Sequence, residues 1–310
     1  MSLDLRERLI NLLGGFPKTV PLSPRTIKST DCGDFIREKI TYQVDADEQV
    51  TAFLCKPKNI THRVPAIVAL HPHGGQYELG KSEVVGLRGN PEEFYALNLA
   101  KRGYVVIAAD SICFEERQAK TGYAKGVWYE RVIAMRELMK GGCMAQKMIW
   151  DIKREIDYLQ TLDFVDPERI GCIGHSMGSM QAWFTSMVDE RLKVIVCIAS
   201  LFTYEVLFRD NIVHCFFPYI PNLITHGIET TDLSKLIAPR PFLIGVGKRD
   251  EGTPLDGVKK VYESMLERYR ELGCEDRLKL VITEGGHEFS QELHEAAYAW
   301  LDKWLKIQEW

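Results

Sequence analysis

Ser176 stands in Gly174-His175-Ser176-Met177-Gly178, with a glycine two residues to either side. The apolar run Arg169-Ile170-Gly171-Cys172-Ile173 precedes it, and a helix-forming stretch from Ser179 to Val188 follows. The pattern predicts a strand, a sharp turn and a helix, with the serine at the apex. A serine held there takes strained backbone angles and lifts its hydroxyl above the sheet edge. The flanking glycines are needed because a side chain at either place would meet the neighbouring helix or strand. A serine hydroxyl is a poor nucleophile until a base takes its proton, and that base must be a histidine whose tautomer a carboxylate fixes. The chemistry this motif could do is acyl transfer through a covalent intermediate.

On elbow scaffolds of this kind the acid and then the histidine follow the serine along the chain. His287, in Thr283-Glu284-Gly285-Gly286-His287-Glu288-Phe289, falls after the last expected strand and before the last helix. That puts it on the edge that carries Ser176, and two glycines permit a close approach. His294 lies within the final helix, and His226 precedes the strand that should carry the acid. The acid is expected in Gly247-Lys248-Arg249-Asp250-Glu251-Gly252-Thr253-Pro254, with Asp250 as first choice. Glu251 reads as a solvated group, and Asp256 as compensation of a helix dipole. His175, next to the serine, should point into the fold and is given no catalytic role.

The tetrahedral intermediate carries an oxyanion that needs preorganised donors. The Met177 amide, at a helix N-terminus, is one. The second is expected from His71-Pro72-His73-Gly74-Gly75-Gln76, with Gly75 first and Gly74 or Gln76 as alternatives. His71 and His73 also form an H-x-H pair, but no carboxylate or cysteine cluster adjoins them to complete a metal site. No metal and no cofactor are expected. His73 and Gly74, with Trp128 and Phe202 from two aromatic-rich connections, are expected to line the substrate. Glu115-Glu116 could in principle bind a peptide amine, which keeps a peptidase reading open beside the esterase one.

The elements that must position these groups alternate from residue 65 onward. Strands are expected at 65–71, 104–109, 169–174, 193–199, 241–246 and 278–283, and helices at 91–102, 145–162, 177–188, 254–272 and 291–305. An antiparallel pair at 36–44 and 49–56 precedes them. Met148, Ile149, Ile152, Ile156 and Leu159 mark one helix face by 3–4 spacing. Alternation of this kind implies an α/β fold with a central, mostly parallel sheet of eight strands, helices on both faces and small inserted cap segments. Residues 1–35 read as an N-terminal extension and 36–310 as the catalytic domain. The connections 111–143 and 200–230 are long enough to be pocket-forming insertions.

The 310 residues carry a net charge of −4 and a hydrophobic fraction of 45%. That balance offers no basic footprint for nucleic acid and no polybasic membrane patch. The start, Met1 to Arg8, reads as a mixed-charge amphipathic helix rather than a signal peptide, and no apolar run is long enough to span a membrane. Of the eight cysteines, none in a C-x-x-C pair, most read as reduced structural thiols in a cytoplasmic protein. A homo-oligomer stays open.

The chain resembles the α/β-hydrolases of the dienelactone-hydrolase-like and acetyl-xylan-esterase-like branch. The resemblance covers roughly residues 36–310. It rests on His71-Pro72-His73-Gly74-Gly75, on the Met148–Leu162 helix leading through Asp166-Pro167-Glu168-Arg169-Ile170-Gly171 into the elbow, on Ala238-Pro239-Arg240-Pro241, and on Gly285-Gly286-His287. It implies a triad of Ser176, Asp250 and His287. Dienelactone hydrolase itself carries a cysteine where this chain has Ser176, which points away from that particular activity. The resemblance and the residues together imply a serine esterase acting on a small-molecule ester, with small acyl groups favoured. The rivals are a peptidase or thioesterase with the same triad, and a non-catalytic binding protein on the same scaffold.

Overall fold

Runs of β-branched and small apolar residues become strands buried on both faces, the pattern of a parallel sheet covered by helices. The computed structural model describes residues 4–306; residues 1–3 and 307–310, which include the first residues of the expected N-terminal helix, lie outside them. Among the described residues nine strands form one sheet: β1 (Arg25–Asp31), β2 (Phe35–Gln43), β3 (Gln49–Pro57), β4 (Val64–Leu70), β5 (Val105–Ala109), β6 (Val165–His175), β7 (Leu192–Ile198), β8 (Phe242–Gly247) and β9 (Leu278–Thr283). Their spatial order is β1-β2-β3-β5-β4-β6-β7-β8-β9. The first three strands and β5 pair antiparallel, and from β5 to β9 every pairing is parallel.

The helices are α1 (Leu5–Leu12), α2 (Lys81–Val84), α3 (Tyr95–Lys101), α4 (Val127–Met139), α5 (Met144–Gln160), α6 (Met177–Val188), α7 (Tyr204–Arg209), α8 (Thr230–Leu233), α9 (Leu255–Glu271) and α10 (Gln291–Leu305). Strand residues divide between two cores by parity. Ala66, Val68 and Leu70 of β4 pack with α5, α6 and α9 on one face, while Ile67 and Ala69 pack with α3 and α10 on the other. The expected α5 face, Met148, Ile149, Ile152, Ile156 and Leu159, is buried as its spacing predicts.

Eight strands were expected and nine are present. The added one, β1, reads Arg-Thr-Ile-Lys-Ser-Thr-Asp and has no buried residue, so it offers no alternation to detect. It is held by its register against β2, from Arg25 opposite Thr41 to Asp31 opposite Ile36, and its charges suit a sheet edge. The helix α4 was also not expected. Its apolar residues lie on both faces, and Val127, Trp128, Val132, Met135, Leu138 and Met139 are exposed.

Ionic contacts fasten the long connections to this frame. Glu48, in the β2–β3 turn, meets Arg117 at 2.5 Å and Lys147 of α5 at 2.5 Å, while Arg117 also reaches Asp151 at 2.8 Å. Trp150 Nε1 donates to the Val44 carbonyl at 2.9 Å, and the buried Arg154 donates to the carbonyls of Val20 and Gln43. The segment before β1 is thereby tied to α5.

Burial alone would raise the Glu48 carboxyl, but the facing Arg117 and Lys147 charges overcome it and hold the group down at about 2. A depressed carboxyl stabilises the fold above its unfolded pKa, and that stability is lost as pH falls toward the folded value. Glu48→Gln is therefore expected to cost up to about 3 kcal/mol in urea unfolding at pH 7. The cost should shrink as pH falls from ~4.3 toward 2. A penalty unchanged at the acid end would exclude the ion pairs as its source.

Candidate active site

Ser176 joins β6 to α6 with φ 56° and ψ −121°, a left-handed backbone that a non-glycine residue rarely takes. Surrounding bonds hold it there. Its N–H donates to the Ile198 carbonyl at the end of β7 at 2.9 Å, and its carbonyl accepts from Met180 N–H at 3.1 Å. Both flanking glycines are sterically required. A Cβ at Gly174 would overlap the Gly178 carbonyl, and one at Gly178 would overlap the Leu70 carbonyl at the end of β4.

The loops after β8 and β9 bring Asp250 and His287 to this turn. His287 Nε2 lies 2.9 Å from Ser176 Oγ, and His287 Nδ1 lies 2.8 Å from Asp250 Oδ2. Asp250 is buried, and its second oxygen accepts from the amides of Gly252 at 2.9 Å and Thr253 at 3.0 Å. A carboxylate fixed at both oxygens can only take the proton-bearing Nδ1 of His287, which leaves Nε2 to accept from the Ser176 hydroxyl. The rival groups are engaged elsewhere. Asp256 pairs with Arg209 at 2.7 Å, Glu251 is exposed, His226 Nδ1 lies 2.8 Å from the Asn222 carbonyl, and His294 Nε2 lies 2.7 Å from the Glu92 carbonyl.

His175 points inward, as expected, and meets the buried Glu93 at 2.8 Å, with its ring 5.2 Å from that of His287. Met177 is the first residue of α6, so its N–H has no intrahelical acceptor and opens beside the serine. Gly74 and Gly75 follow β4 at φ 53° and 70°. The Gly75 amide is not free in this structure, because it donates to His73 Nδ1 at 3.1 Å.

The two loop histidines have defined partners. His71 donates from Nδ1 to the Pro72 carbonyl at 2.8 Å and accepts at Nε2 from Ser111 N–H at 3.0 Å. Burial pushes its pKa down to about 4, in keeping with a neutral ring. His73 Nε2 lies 3.2 Å from Glu130 Oε2, and the Tyr77 hydroxyl donates to the same oxygen at 2.5 Å. Phe114 packs against His71, His73 and Tyr77. Among the described residues no group of three or more His, Cys, Asp or Glu is gathered to hold a metal.

The two aromatic residues expected to touch substrate are placed differently from each other. Trp128 lies on the outer face of α4, 61% exposed, with Arg131 stacked over its ring at 4.8 Å. The helix turns Glu130, Ile133 and Glu137 inward instead. Phe202 is fully buried, stacked on His214 at 4.9 Å and packed against Trp183 and Tyr204. It fixes the insert to the domain. Glu130, Tyr77 and His214 went unnoticed in the sequence. Burial, and then the charge of His287, push the His214 pKa down. No motif marks any of the three; only an inward face on α4 would have singled out Glu130.

Among solved structures the fold is that of α/β-hydrolase esterases. The Bacteroides fragilis NCTC 9343 protein BF1801, described as a candidate acetyl xylan esterase, aligns over 90% of this chain and 74% of its own, with TM-score 0.75 and 19% identity. The glucuronoyl esterase from Solibacter usitatus aligns over 96% and 92%, with TM-score 0.70 and 15% identity. Residues 50–310 match the model of the dienelactone hydrolase family, and the chain belongs to that family of hydrolases. A candidate hydrolase of Bacillus subtilis (strain 168), YtaP, is 33% identical over 98% of this chain and 100% of its own length.

Gly178 has an ordinary backbone conformation, so its substitution tests the close approach alone. Gly178→Ala is expected to cost about 3 kcal/mol in urea unfolding, the upper end of the usual range, since backbone lies on the far side of the clash and cannot yield as a side chain would. A variant within about 0.5 kcal/mol of wild type would show that β4 and α6 can separate freely.

Proposed function

We propose that the protein is a serine hydrolase of carboxylic esters, with Ser176 as nucleophile, His287 as base and Asp250 as the group that orients it. The hydrogen-bonded chain from Ser176 Oγ through both nitrogens of His287 to Asp250 carries this reading. His287 takes the serine proton as Oγ bonds to the ester carbonyl carbon. The Met177 and Gly75 amides hold the resulting oxyanion. The C–O bond to the alcohol breaks as His287 returns the proton to the leaving oxygen. Water, deprotonated by His287, then releases the acid and restores Ser176. Asp250 stabilises charged His287 without taking its proton. No cofactor enters any step.

The substrate is a small-molecule ester with a short acyl group. The cavity of about 650 Å³ beneath α4 and the groove of about 790 Å³ beside Lys248–Leu255 include neither Ser176 nor His287 in their walls, although Asp250 lines the groove. Neither therefore gives a long acyl chain a tunnel at the nucleophile. The His287 side chain is 41% exposed, so the alcohol can extend into solvent and be bulky. Structures of the same fold include enzymes named for acetyl xylan and glucuronoyl esters, which supports a carbohydrate ester as the first class to test. The peptidase reading loses its distinguishing feature, because Glu115 and Glu116 are engaged by Lys81 and Lys39. All eight cysteines are unpaired, which suits the cytoplasm. Nucleic acid and membrane are not proposed as partners; no described helix is long and apolar enough to cross a membrane.

Hydrolysis of p-nitrophenyl acetate, butyrate and octanoate by wild type and Ser176→Ala tests the proposal. Turnover is expected to fall with acyl length, and the variant should lose about 10⁴-fold or more in kcat. A variant keeping more than about a tenth of wild-type turnover overturns the assignment of Ser176. Labelling of Ser176 by a fluorophosphonate separates an enzyme from a binding protein, which would stay unlabelled.

A further inference from the structure

We infer that the task of the His73–Glu130 pair is to aim the Gly75 amide, making both of them positioning residues for the oxyanion site. The inference rests on the ester-hydrolase reading above, in which Gly75 is an oxyanion donor. It starts from one bond. The Gly75 N–H donates to His73 Nδ1 at 3.1 Å, so Nδ1 carries no proton and the ring proton sits on Nε2. Nε2 then donates to Glu130 Oε2 at 3.2 Å. The order from carboxylate to ring to amide is fixed by donor and acceptor alone.

The anchor end is built to hold still. Glu130 is 1% exposed, lies on the inward face of α4, and takes the Tyr77 hydroxyl on the same oxygen at 2.5 Å. Tyr77 stacks on Phe114 at 4.9 Å, and the His73 ring meets both of those rings edge-on at 5.0 Å. The moving end is the opposite. Gly74 and Gly75 have left-handed backbone angles and nothing within 4 Å of where a Cβ would stand. Two unpacked glycines in succession cannot fix the direction of an amide by their own packing. The Gln76 N–H closes the turn around both glycines by donating to the His73 carbonyl at 3.1 Å, and within that turn His73 Nδ1 is the acceptor that the Gly75 amide itself meets.

An oxyanion bears far more charge than an imidazole nitrogen and accepts more strongly. The Gly75 N–H therefore turns or bifurcates toward it when it forms, while His73 keeps the amide within reach beforehand. Such an arrangement acts on the transition state and leaves ground-state binding alone. It also gives α4 a direct connection to the catalytic loop, since Glu130 is the α4 residue that grips it.

Steady-state kinetics on p-nitrophenyl acetate with His73→Leu, His73→Asn and Glu130→Leu test this. His73→Leu removes the acceptor, and kcat should fall about 10- to 100-fold, short of the ~10²–10³ lost when a donor is deleted outright, with KM nearly unchanged. Asparagine places Oδ1 where Nδ1 stood, so His73→Asn should recover most of the lost kcat. Glu130→Leu frees the ring to change tautomer and should give a smaller loss in kcat. The second-order rate of fluorophosphonate labelling should follow the same order, because the phosphonyl oxygen occupies the oxyanion site. Three results overturn the inference: a His73→Leu kcat within about twofold of wild type, a loss confined to KM, or His73→Asn as impaired as His73→Leu. If His73→Leu does not fold, the asparagine and Glu130 variants decide by the same comparison. Wild type that neither labels at Ser176 nor cleaves the ester would instead bring down the ester-hydrolase reading itself.

Discussion

The contact between Gly178 and the Leu70 carbonyl is the constraint on which the site depends. It lets the start of α6 press against the end of β4, and no other residue type fits there. With α6 so close, the chain leaving β6 must reverse within one residue, and Ser176 takes the strained angles. The same contact sets the height of the loop that follows β4. The start of that loop, at Leu70 and His71, is placed relative to Ser176 by one backbone-to-backbone approach, while the Gly75 amide further along meets a side-chain acceptor, His73 Nδ1.

A second close approach brings up the other half. A Cβ at Gly247 would overlap the carbonyls of Gly285 and Gly286, so the loops after β8 and β9 can cross only with glycine at that point. Their ladder continues past the strands: Lys248 N–H donates to the Thr283 carbonyl at 2.8 Å, and Arg249 N–H to the Gly285 carbonyl at 2.9 Å. Asp250 and His287 are thus each a few residues beyond a shared sheet register. The protein holds the Ser176, Asp250 and His287 side chains in place with backbone hydrogen bonds and packing, which is where positional precision costs least entropy.

Ser176, Asp250 and His287 were legible because glycine spacing and strand–turn–helix order are local signals, and these local signals happen to be dictated by the two close approaches. The parallel strands were legible for the same reason: burial on both faces leaves a run of apolar residues. β1 was not, since an edge strand held only by backbone pairing has no side-chain pattern. Helix α4 was missed because its apolar residues are divided between the core and the solvent. Trp128 and Phe202 take opposite placements, one exposed and one buried. An aromatic residue in a long connection can face outward or pack the connection down, and composition does not distinguish these from facing a substrate. Glu130 and Glu93 contact their histidines across 57 and 82 residues of chain, a pairing that no spacing rule reports.

Three histidine–carboxylate pairs stand along this sheet edge: His287 with Asp250, His175 with Glu93, and His73 with Glu130. In each the carboxylate is buried, so proximity of acid to imidazole cannot by itself mark a catalytic base. The pairs differ in what the second ring nitrogen meets. That of His175 is buried with no hydrogen-bond partner among the described residues. That of His73 accepts a backbone amide, a bond that aims a group and moves no proton. Only the second nitrogen of His287 faces a side-chain hydroxyl, and that hydroxyl is on the strained residue at the elbow. The same pair of residue types serves packing, aiming and proposed proton transfer, and the partner of the far nitrogen decides which.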